Sequence, residues 1–242
     1  MRIEFHVHTD ASHDSLLGRK ALIRALVKKG IDAVAICDHN EVSFALENKD
    51  AFARLGIELI VGEEIFTSEG EIIGLFLTKR IAPGMSPEET IAEIHRQKGL
   101  VCVPHPYDEK RYRTVLKPEA LNRIASLVDL MEVHNGRNID PSYSDRQREI
   151  ADSYGLRHIV GSDAHTAMEI GRNYCESEAS LSEPLTPEGL LQWLESASFI
   201  TAPCLTAAHK KTRRDRVRKM LRKGDFRGIY RAFKRKLNKR RS

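Results

Sequence analysis

The sequence predicts an α/β fold whose strands, mostly parallel, close into a barrel. Apolar runs of strand length alternate with helical segments as far as residue 165, which is the pattern of repeated βαβ units. Nearly every predicted strand ends in His, Asp or Glu. The carboxyl ends of all strands meet at one mouth in a β/α barrel, whereas an open sheet brings together only those at its switch point. A barrel therefore places more of these polar side chains in one site.

The first strand is predicted near the amino terminus, where apolar and polar residues alternate. The apolar residues are Ile3, Phe5 and Val7, and the polar ones are Glu4, His6 and His8. Because period-two alternation gives a strand two distinct faces, we expect His6 and His8 to point the same way. Their bases would lie about 6 to 7 Å apart, close enough for both to reach one ion through bonds of about 2.1 Å. Solvated histidines on an edge strand are the alternative for this pair taken alone.

The remaining strands and helices are predicted in alternation. The strands cover residues 33–37, 57–61, 72–77, 100–103, 127–133 and 157–160. The helices cover residues 20–29, 42–55, 87–98, 118–125 and 143–154. Apolar residues at helical spacing indicate the helices, and Gly30 and Gly99 mark the ends of the first and third. The absence of a glycine-rich loop after the first strand weakens a nucleotide-cofactor interpretation.

Charge divides the chain into an acidic body and a basic tail. Residues 205–242 contain seventeen Lys and Arg against two Asp, a local charge of +15, so the total of +5 leaves −10 for residues 1–204. We therefore predict a barrel domain over residues 1–204 and a basic amphipathic helical tail over residues 205–242. No apolar run approaches the ~20 residues of a membrane span, and no signal peptide is recognisable. We expect a cytoplasmic protein.

Histidines and carboxylates at successive strand ends and in adjoining loops predict a divalent-metal site. A single histidine is more often a core or surface residue than a ligand, but so large a cluster would be costly to desolvate without a cation. The candidates are His6, His8, His13 or Asp14, His39, Glu64, Glu71, His105, His134, Asp163 and His165. A mixed set of imidazoles and carboxylates favours Mn²⁺, Fe²⁺ or Zn²⁺ over Mg²⁺ alone.

The motifs around these residues, taken as an ordered set, resemble those of the PHP family, named for polymerase and histidinol phosphatase. They are His6-Val7-His8, Ser12-His13-Asp14-Ser15, Cys37-Asp38-His39-Asn40, Gly62-Glu63-Glu64-Ile65, Pro104-His105-Pro106, Glu132-Val133-His134-Asn135-Gly136-Arg137 and Gly161-Ser162-Asp163-Ala164-His165. The resemblance implies a distorted (β/α)7 TIM-like barrel that hydrolyses phosphoesters. It also implies two to three divalent ions at the barrel mouth, usually manganese, iron, zinc or magnesium.

The resemblance further implies how the ligands are shared. The first ion would be held by His6, His8, Glu64 and Asp163, the second by Glu64 and His105, and the third by His39, His165 and Asp14. His13 is the alternative to Asp14 because the two residues are adjacent. Where many family members have a histidine just before Gly74, this chain has Glu71, which either replaces that ligand or leaves the second ion weakly bound. Catalytic roles fall to Glu64, His39 and His165, with either histidine as general acid if it is not committed to metal.

Substrate contacts are predicted after the sixth strand. Arg137 is the candidate for gripping a second phosphate through its fork of donors, and His134 and Asn135 are candidate substrate contacts beside the cavity. Arg111, Arg113 and Arg172 are weaker candidates, for which a solvated charge is the favoured interpretation. The expected substrate is phosphorylated, either a nucleotide such as a 3′,5′-bisphosphate or the 5′ end of an RNA or DNA oligomer.

Two other functions remain as alternatives. One is a phosphatase of a small metabolite of the sugar or histidinol phosphate type. The other is a non-catalytic adaptor, stabilised by metal, that binds nucleic acid or membrane through its tail. The near-complete ligand set argues against the adaptor, because a purely structural ion does not need an open multi-metal mouth.

The tail carries two short amphipathic patterns that are broken near Gly224 and Gly228. Their apolar stripes are Val217, Met220 and Leu221, and then Ile229, Tyr230, Phe233 and Leu237. Such a tail binds nucleic-acid phosphates, lies on an anionic membrane surface, or folds back onto the acidic body or an oligomer partner. Nucleic acid is the favoured partner and a membrane the least favoured.

Overall fold

Seven strands close into a barrel in this computed structural model, which describes residues 1–179, 185–222 and 224–228. The strands are β1 (Arg2–Val7), β2 (Ala33–His39), β3 (Glu58–Thr67), β4 (Gly70–Leu75), β5 (Leu100–Val103), β6 (Leu130–Asn135) and β7 (Arg157–Ala164). β1 pairs in parallel with both β2 and β7, which closes the barrel. β4 runs antiparallel to β3 and β5, while the other pairs are parallel. The predicted distorted seven-stranded barrel is confirmed, and β4 is its distortion.

Helices follow most strands. They are α1 (Arg19–Lys29), α2 (Ser43–Ala53), α3 (Pro87–Arg96), α4 (Pro118–Ile124), α5 (Ser142–Ser153), α6 (Pro187–Leu194) and α7 (Thr206–Arg222), with single 3-10 turns at Glu109–Arg111 and Ala125–Leu127. Two short strands, β8 (Tyr174–Glu176) and β9 (Ser198–Ile200), extend the sheet beside β1. None of the helices in the described parts of the chain is long and apolar enough to cross a membrane.

Local sequence signals explain where the first helices begin and end. Gly30 adopts a left-handed φ of 63° directly after α1, a backbone conformation that glycine enters without steric cost. Before α3, the Ser86 hydroxyl accepts from the Glu89 N–H at 3.2 Å, and the Glu89 carboxylate accepts from the Ser86 N–H at 2.9 Å. This capping box satisfies two amide donors that the helix itself leaves unpaired.

The core consists of two layers separated by the barrel wall. The outer layer joins strand residues such as Val34, Ile36 and Leu59 to helix residues such as Leu26 and Phe52. The inner layer lies on the opposite strand face and includes Ala33, Ala35, Cys37, Cys102 and Leu130. Successive residues of β2 therefore alternate between the layers, as the pleat of a barrel strand requires.

The predicted alternation of β1 is correct only for its first half. Ile3 and Phe5 belong to the inner layer, but Val7 belongs to the outer one. His6 has a φ of 62°, and the pairing of β1 with both neighbours shifts register across this residue. An irregularity of this kind reverses the facing of the residues after it. Glu4 consequently lies away from His6, and its carboxylate accepts from the Gly171 N–H at 2.7 Å.

β3 extends well beyond its predicted end at residue 61. The extension pairs with β4 through the register that runs from Gly62–Leu75 to Thr67–Gly70. The antiparallel partner therefore keeps the chain extended through Glu63 and Glu64, which the sequence pattern placed after the strand. Glu64 thus belongs to a strand that is hydrogen-bonded on both sides, and this fixes its backbone.

The turn between β3 and β4 offers a test of packing. Gly70 has a φ of 129°, and a Cβ added there would lie 2.4 Å from Cα of Leu116. We expect Gly70→Ala to lower the free energy of unfolding by about 3 kcal/mol, because the substitution combines backbone strain with a backbone clash. Gly84 has a φ of 87° with nothing within 4 Å of an added Cβ, so Gly84→Ala should cost only about 1 kcal/mol. Urea denaturation compares the two, and equal losses would contradict the prediction.

The first part of the predicted tail packs against the body as α7. Its buried face is formed by Ala208, Thr212 and Asp215, and not by the predicted apolar stripe. Leu221 of that stripe is 53% exposed, because the contacts of α7 with the barrel are largely polar. The second predicted stripe, Ile229, Tyr230, Phe233 and Leu237, lies outside the described residues.

Candidate metal centre

The predicted ligands meet at the mouth formed by the carboxyl ends of the parallel strands. β1, β2, β5 and β7 deliver residues at or just after their ends, β3 delivers Glu64 from its second half, and β4, which is antiparallel, delivers a residue near its start. The loop between β1 and α1 adds one more. We call this set the metal centre; it consists of His6, His8, Asp14, His39, Glu64, Glu71, His105, Asp163 and His165. The structure brings all nine together, and their roles as ligands stay a prediction.

Glu64 lies in the middle of the metal centre. Its Oε1 is 3.4 Å from Nε2 of His6 and 3.1 Å from Nε2 of His105. Its Oε2 is 3.4 Å from Nε2 of His8 and 2.9 Å from Nδ1 of His39. Burial alone would raise the pKa of Glu64, but the positive charges of His6 and His39 hold it well below its ordinary value. One ionised carboxylate thus faces four imidazoles, which is the arrangement of a bridging ligand.

Asp163 closes the side of the metal centre formed by β7. Its Oδ1 is 3.5 Å from Nε2 of His8 and 3.4 Å from Nδ1 of His165, and its Oδ2 is 2.6 Å from a guanidinium nitrogen of Arg111. Desolvation acts to raise the pKa of Asp163, yet the charge of Arg111, followed by that of His6, holds it well below its usual range. Arg111 therefore reaches into the site, and its interpretation as a solvated charge is wrong.

The third predicted subsite lies at the more open edge. Oδ1 of Asp14 is 3.3 Å from Nε2 of His165 and 3.7 Å from Nε2 of His39. The His13 side chain is 52% exposed, and its Nε2 is 3.9 Å from the other carboxylate oxygen of Asp14. Asp14 thus stands between the two other histidines of the subsite, while His13 lies on the outer side.

Glu71 occupies the position for which the sequence left two outcomes open. Its carboxylate is buried, with Oε2 3.6 Å from Nε2 of His105 and Oε1 3.9 Å from Nδ1 of His39. Burial, and then the negative charge of Glu64, raise the pKa of Glu71 well above its ordinary value. Two carboxyl groups in one dry site repel each other unless a proton or a cation lies between them. The position of Glu71 therefore suits a ligand that replaces the family's histidine.

The polar atoms of the centre fit divalent ions. Within the described residues, Nε2 of His6 and Nε2 of His8 are buried without a hydrogen-bond partner, and both lie 3.4 Å from a Glu64 oxygen. Buried polar nitrogens are rarely left unpaired in folded proteins, and neutral imidazoles beside carboxylates form the usual donor set for Mn²⁺, Fe²⁺ and Zn²⁺. These residues can therefore hold a divalent metal ion.

Backbone strain is concentrated at the same place. Six non-glycine residues in the described part of the chain have a positive φ, and three of them belong to the metal centre. They are His6 at 62°, His105 at 31° and Asp163 at 49°. Such conformations cost about 1 to 3 kcal/mol each and persist where the surrounding structure imposes them, commonly at functional sites.

Glu132 holds two of the histidines in place, although the sequence pattern indicated no role for it. Its Oε1 is 2.6 Å from Nδ1 of His6, which turns Nε2 of that ring toward Glu64. Its Oε2 accepts from the His105 N–H at 2.8 Å and from the Asn135 side-chain amide at 2.9 Å. A carboxylate that binds the outer nitrogen of a ligand histidine fixes the ring and its tautomer. Its position as a charged residue inside an apolar strand was the available signal.

A second carboxylate supports His8 in the same way. Nδ1 of His8 is 3.1 Å from the Ser12 hydroxyl, which donates to Oδ1 of Asp38 at 2.5 Å. Asp38 also accepts from the backbone N–H and the hydroxyl of Thr9, each at 2.6 Å. The Asp38 carboxylate thus fixes both the ring of His8 and the start of the loop that carries Asp14.

Removing the charge of Glu132 should weaken metal binding. We expect Glu132→Gln to lower metal affinity about 10- to 100-fold, which is the usual effect of losing a carboxylate behind a ligand histidine. Titration of the metal-free protein with Mn²⁺ in a calorimeter measures the change. Glu47→Gln, on the exposed face of α2, is the control and should bind as the wild type does. An unchanged affinity in Glu132→Gln would show that His6 needs no such support.

The three predicted substrate contacts have partners within the protein. Nδ1 of His134 is 2.8 Å from the Ser144 hydroxyl, and its Nε2 is 3.2 Å from Oδ1 of Asn173. The Asn135 side chain donates to Glu132 and accepts from the Arg137 N–H at 3.0 Å. These residues support the centre in the structure, and their roles as substrate contacts stay predictions.

Arg137 is buried beside the metal centre and does not present its fork to the mouth. Its Nε donates to Oε1 of Glu169 at 2.9 Å, and one terminal nitrogen donates to the Thr212 hydroxyl at 2.6 Å. The guanidinium thus joins the loop after β7 to α7. Its predicted grip on a second phosphate is untested, and such a grip would require exchanging these contacts.

Sequence comparison identifies a protein family and several relatives. Residues 4–191 match the family model described as the PHP domain. An uncharacterized protein of Methanocaldococcus jannaschii is 36% identical over 202 residues, which cover 81% of this chain and 79% of that protein. A 5′-3′ exoribonuclease of Haemophilus influenzae is 35% identical over 120 residues, which cover 44% of this chain and 43% of the relative.

Solved structures share the fold at low sequence identity. PsfC from Pseudomonas syringae aligns with a TM-score of 0.63 at 17% identity, covering 90% of this chain and 97% of that one. A Bifidobacterium adolescentis protein, provisionally described as a metal-dependent phosphoesterase, aligns with a TM-score of 0.59 at 19% identity. The alignment covers 80% of this chain and 96% of that one. The match of the family model over residues 4–191 of 242 shows that the chain belongs to the PHP domain family.

Proposed function

We propose that the chain is a metal-dependent phosphoester hydrolase that acts on nucleotides, such as 3′,5′-bisphosphates, or on the 5′-phosphorylated ends of oligonucleotides. The observation that carries the proposal is the position of Glu64, whose two oxygens lie within 3.4 Å of four different imidazoles. Such a site suits two to three ions of manganese, iron, zinc or magnesium. Bound ions would activate water and neutralise charge on the phosphoryl and leaving oxygens.

The protein's own residues divide the remaining work. His6 and His8 are buried and fixed from behind by Glu132 and Ser12, so they serve to position ions. His39 is more open, with a side chain that is 16% exposed, and its Nε2 faces Asp14 at 3.7 Å. A proton donor to the leaving group must lie where substrate reaches it, which makes His39 the better candidate for general acid and His165 the alternative.

The choice of a nucleotide substrate rests on two supports. The relative named a 5′-3′ exoribonuclease is 35% identical over 120 residues, and α7 beside the mouth contains eight Lys and Arg against one Asp. A cationic element next to a phosphate-binding site attracts polyanions and raises their local concentration. A small metabolite would make no use of so extended a positive surface.

Product analysis tests the proposal. The Mn²⁺-loaded protein is incubated with a 5′-phosphorylated RNA oligomer and, separately, with a nucleoside 3′,5′-bisphosphate and a sugar phosphate. We expect stepwise release of mononucleotides from the oligomer, or loss of one phosphate from the bisphosphate, and neither product with His8→Ala. Hydrolysis of the sugar phosphate alone would instead support a metabolite phosphatase. If no phosphoester is cleaved, the adaptor is the remaining explanation.

A further inference from the structure

Polar contacts at two places along helix α7 hold it against the barrel mouth. Near its middle, the Thr212 hydroxyl accepts from Arg137 at 2.6 Å. Near its last turn, Nζ of Lys219 donates to the carbonyl oxygen of Asp10 at 2.5 Å and to that of Ser12. The helix therefore has a defined position beside the mouth; folding back onto the body is one of the three arrangements that the sequence left open for the tail.

Both of these contacts connect α7 to residues of the metal centre. The loop held by Lys219 carries Asp14 two residues after Ser12. At the contact with Thr212, Arg137 also donates to Glu169, whose second oxygen accepts from the His165 N–H at 3.0 Å. Asp14 and His165 are the pair that faces across the third subsite at 3.3 Å. α7 thus lies along the outer side of this subsite.

One flank of α7 faces the rim of the centre. Arg216 follows Thr212 by four residues and precedes Lys219 by three, so the three residues lie on one side of the helix. Thr212 contacts Arg137, and Lys219 contacts the loop that carries Asp14. Arg216 therefore lies on the side of α7 that faces this loop, and its side chain is exposed there.

We propose that Arg216 binds a phosphate of the substrate other than the one that is hydrolysed. This inference rests on the proposed function, because the scissile phosphate must occupy the metal centre for a neighbouring phosphate to reach the rim. An exposed guanidinium there offers a fork of charged donors that matches phosphate oxygens. The site would consequently prefer oligonucleotides and other polyphosphorylated substrates to nucleoside monophosphates.

The helix offers a matched control for this proposal. Arg214 is exposed like Arg216 and carries the same charge, but it lies about 160° away around the helix. Replacing either residue with alanine removes one positive charge from α7. Only Arg216→Ala removes it from the flank that faces the rim, so a difference between the variants reports position and not net charge.

Binding is measured by fluorescence anisotropy with the Mn²⁺-loaded protein and a 5′-phosphorylated phosphorothioate oligonucleotide, which resists hydrolysis, over a range of salt concentrations. We expect Arg216→Ala to weaken affinity about tenfold and to reduce the slope of log affinity against log salt by about 0.7, the value for one lost contact to a single strand. Arg214→Ala should leave both values close to those of the wild type. In turnover experiments, the preference for an oligonucleotide over a nucleoside monophosphate should fall about tenfold in Arg216→Ala.

Three results would overturn the inference. The first is an equal effect of the two substitutions, and the second is an unchanged salt slope in Arg216→Ala. The third is an Arg216→Ala effect confined to cosedimentation with phosphatidylserine vesicles, which would assign the residue to a membrane surface. Failure of the wild type to hydrolyse any phosphoester would count against the proposed function instead, because the binding experiment does not depend on turnover.

Discussion

Glu64→Gln is expected to lower kcat/KM for phosphoester hydrolysis about 1000-fold, equivalent to about 4 kcal/mol of transition-state stabilisation. The substitution keeps the size of the side chain but removes the negative charge that four imidazoles share. An amide oxygen is a weaker ligand, and the amide nitrogen would face an imidazole nitrogen. Metal content by plasma mass spectrometry and steady-state hydrolysis, measured on the same preparation, separate loss of ions from loss of chemistry.

The adjacent residue supplies the control. Glu63 lies on the same strand, but its Oε2 accepts from the Ile81 N–H at 2.8 Å, away from the imidazoles. Burial raises the pKa of Glu63 to about 7, so about half of these carboxyl groups are neutral at that pH, and an amide oxygen can accept the same hydrogen bond. Glu63→Gln should therefore retain metal and activity. Full activity in Glu64→Gln would remove the main support for the proposed function.

The sequence indicated the barrel and its mouth because the relevant signals are local. A polar residue at the end of an apolar run is visible without knowledge of what lies opposite, and a shared barrel mouth then implies that such residues meet. His39, Glu64 and His105 were located in this way. The same reasoning failed for β8 and β9, since three-residue strands are too short to show a period.

Features that depend on distant contacts could not be predicted. Glu132 contacts His6, which is 126 residues away in the sequence. Arg111 contacts Asp163, and β6 and most of β7 lie between them in the sequence. The face by which α7 packs against the body could not be predicted, because it contains Thr212 and Asp215. Amphipathic patterns reveal only apolar faces. The irregularity at His6 was hidden as well, because its neighbours alternate as an ordinary strand does.

Chelation of bound metal is expected to lower the melting temperature by about 10 °C. An ion that binds only the folded protein, present at about 1000 times its Kd, stabilises it by about 4 kcal/mol, and each kcal/mol shifts Tm by about 2 to 4 °C for a chain of this size. Without cations, the buried carboxylates of Glu64 and Glu71 face each other, and Nε2 of His6 and of His8 lack hydrogen-bond partners. This repulsion and these unpaired nitrogens destabilise only the folded state, because water solvates the same groups in the unfolded chain.

Calorimetric melting of the Mn²⁺-loaded protein, with and without EDTA, measures this shift, and adding excess Mn²⁺ should restore the higher Tm. The shift should be much smaller in Glu64→Gln, because that variant loses the carboxylate through which the four imidazoles share an ion. Gly84→Ala, which alters an exposed turn outside the metal centre, should show the full shift from a slightly lower Tm. If EDTA strips the metal and the wild-type Tm stays unchanged, the cluster is stable without cations. The orphaned nitrogens would then have to be satisfied by water, and the argument that they require metal would fail.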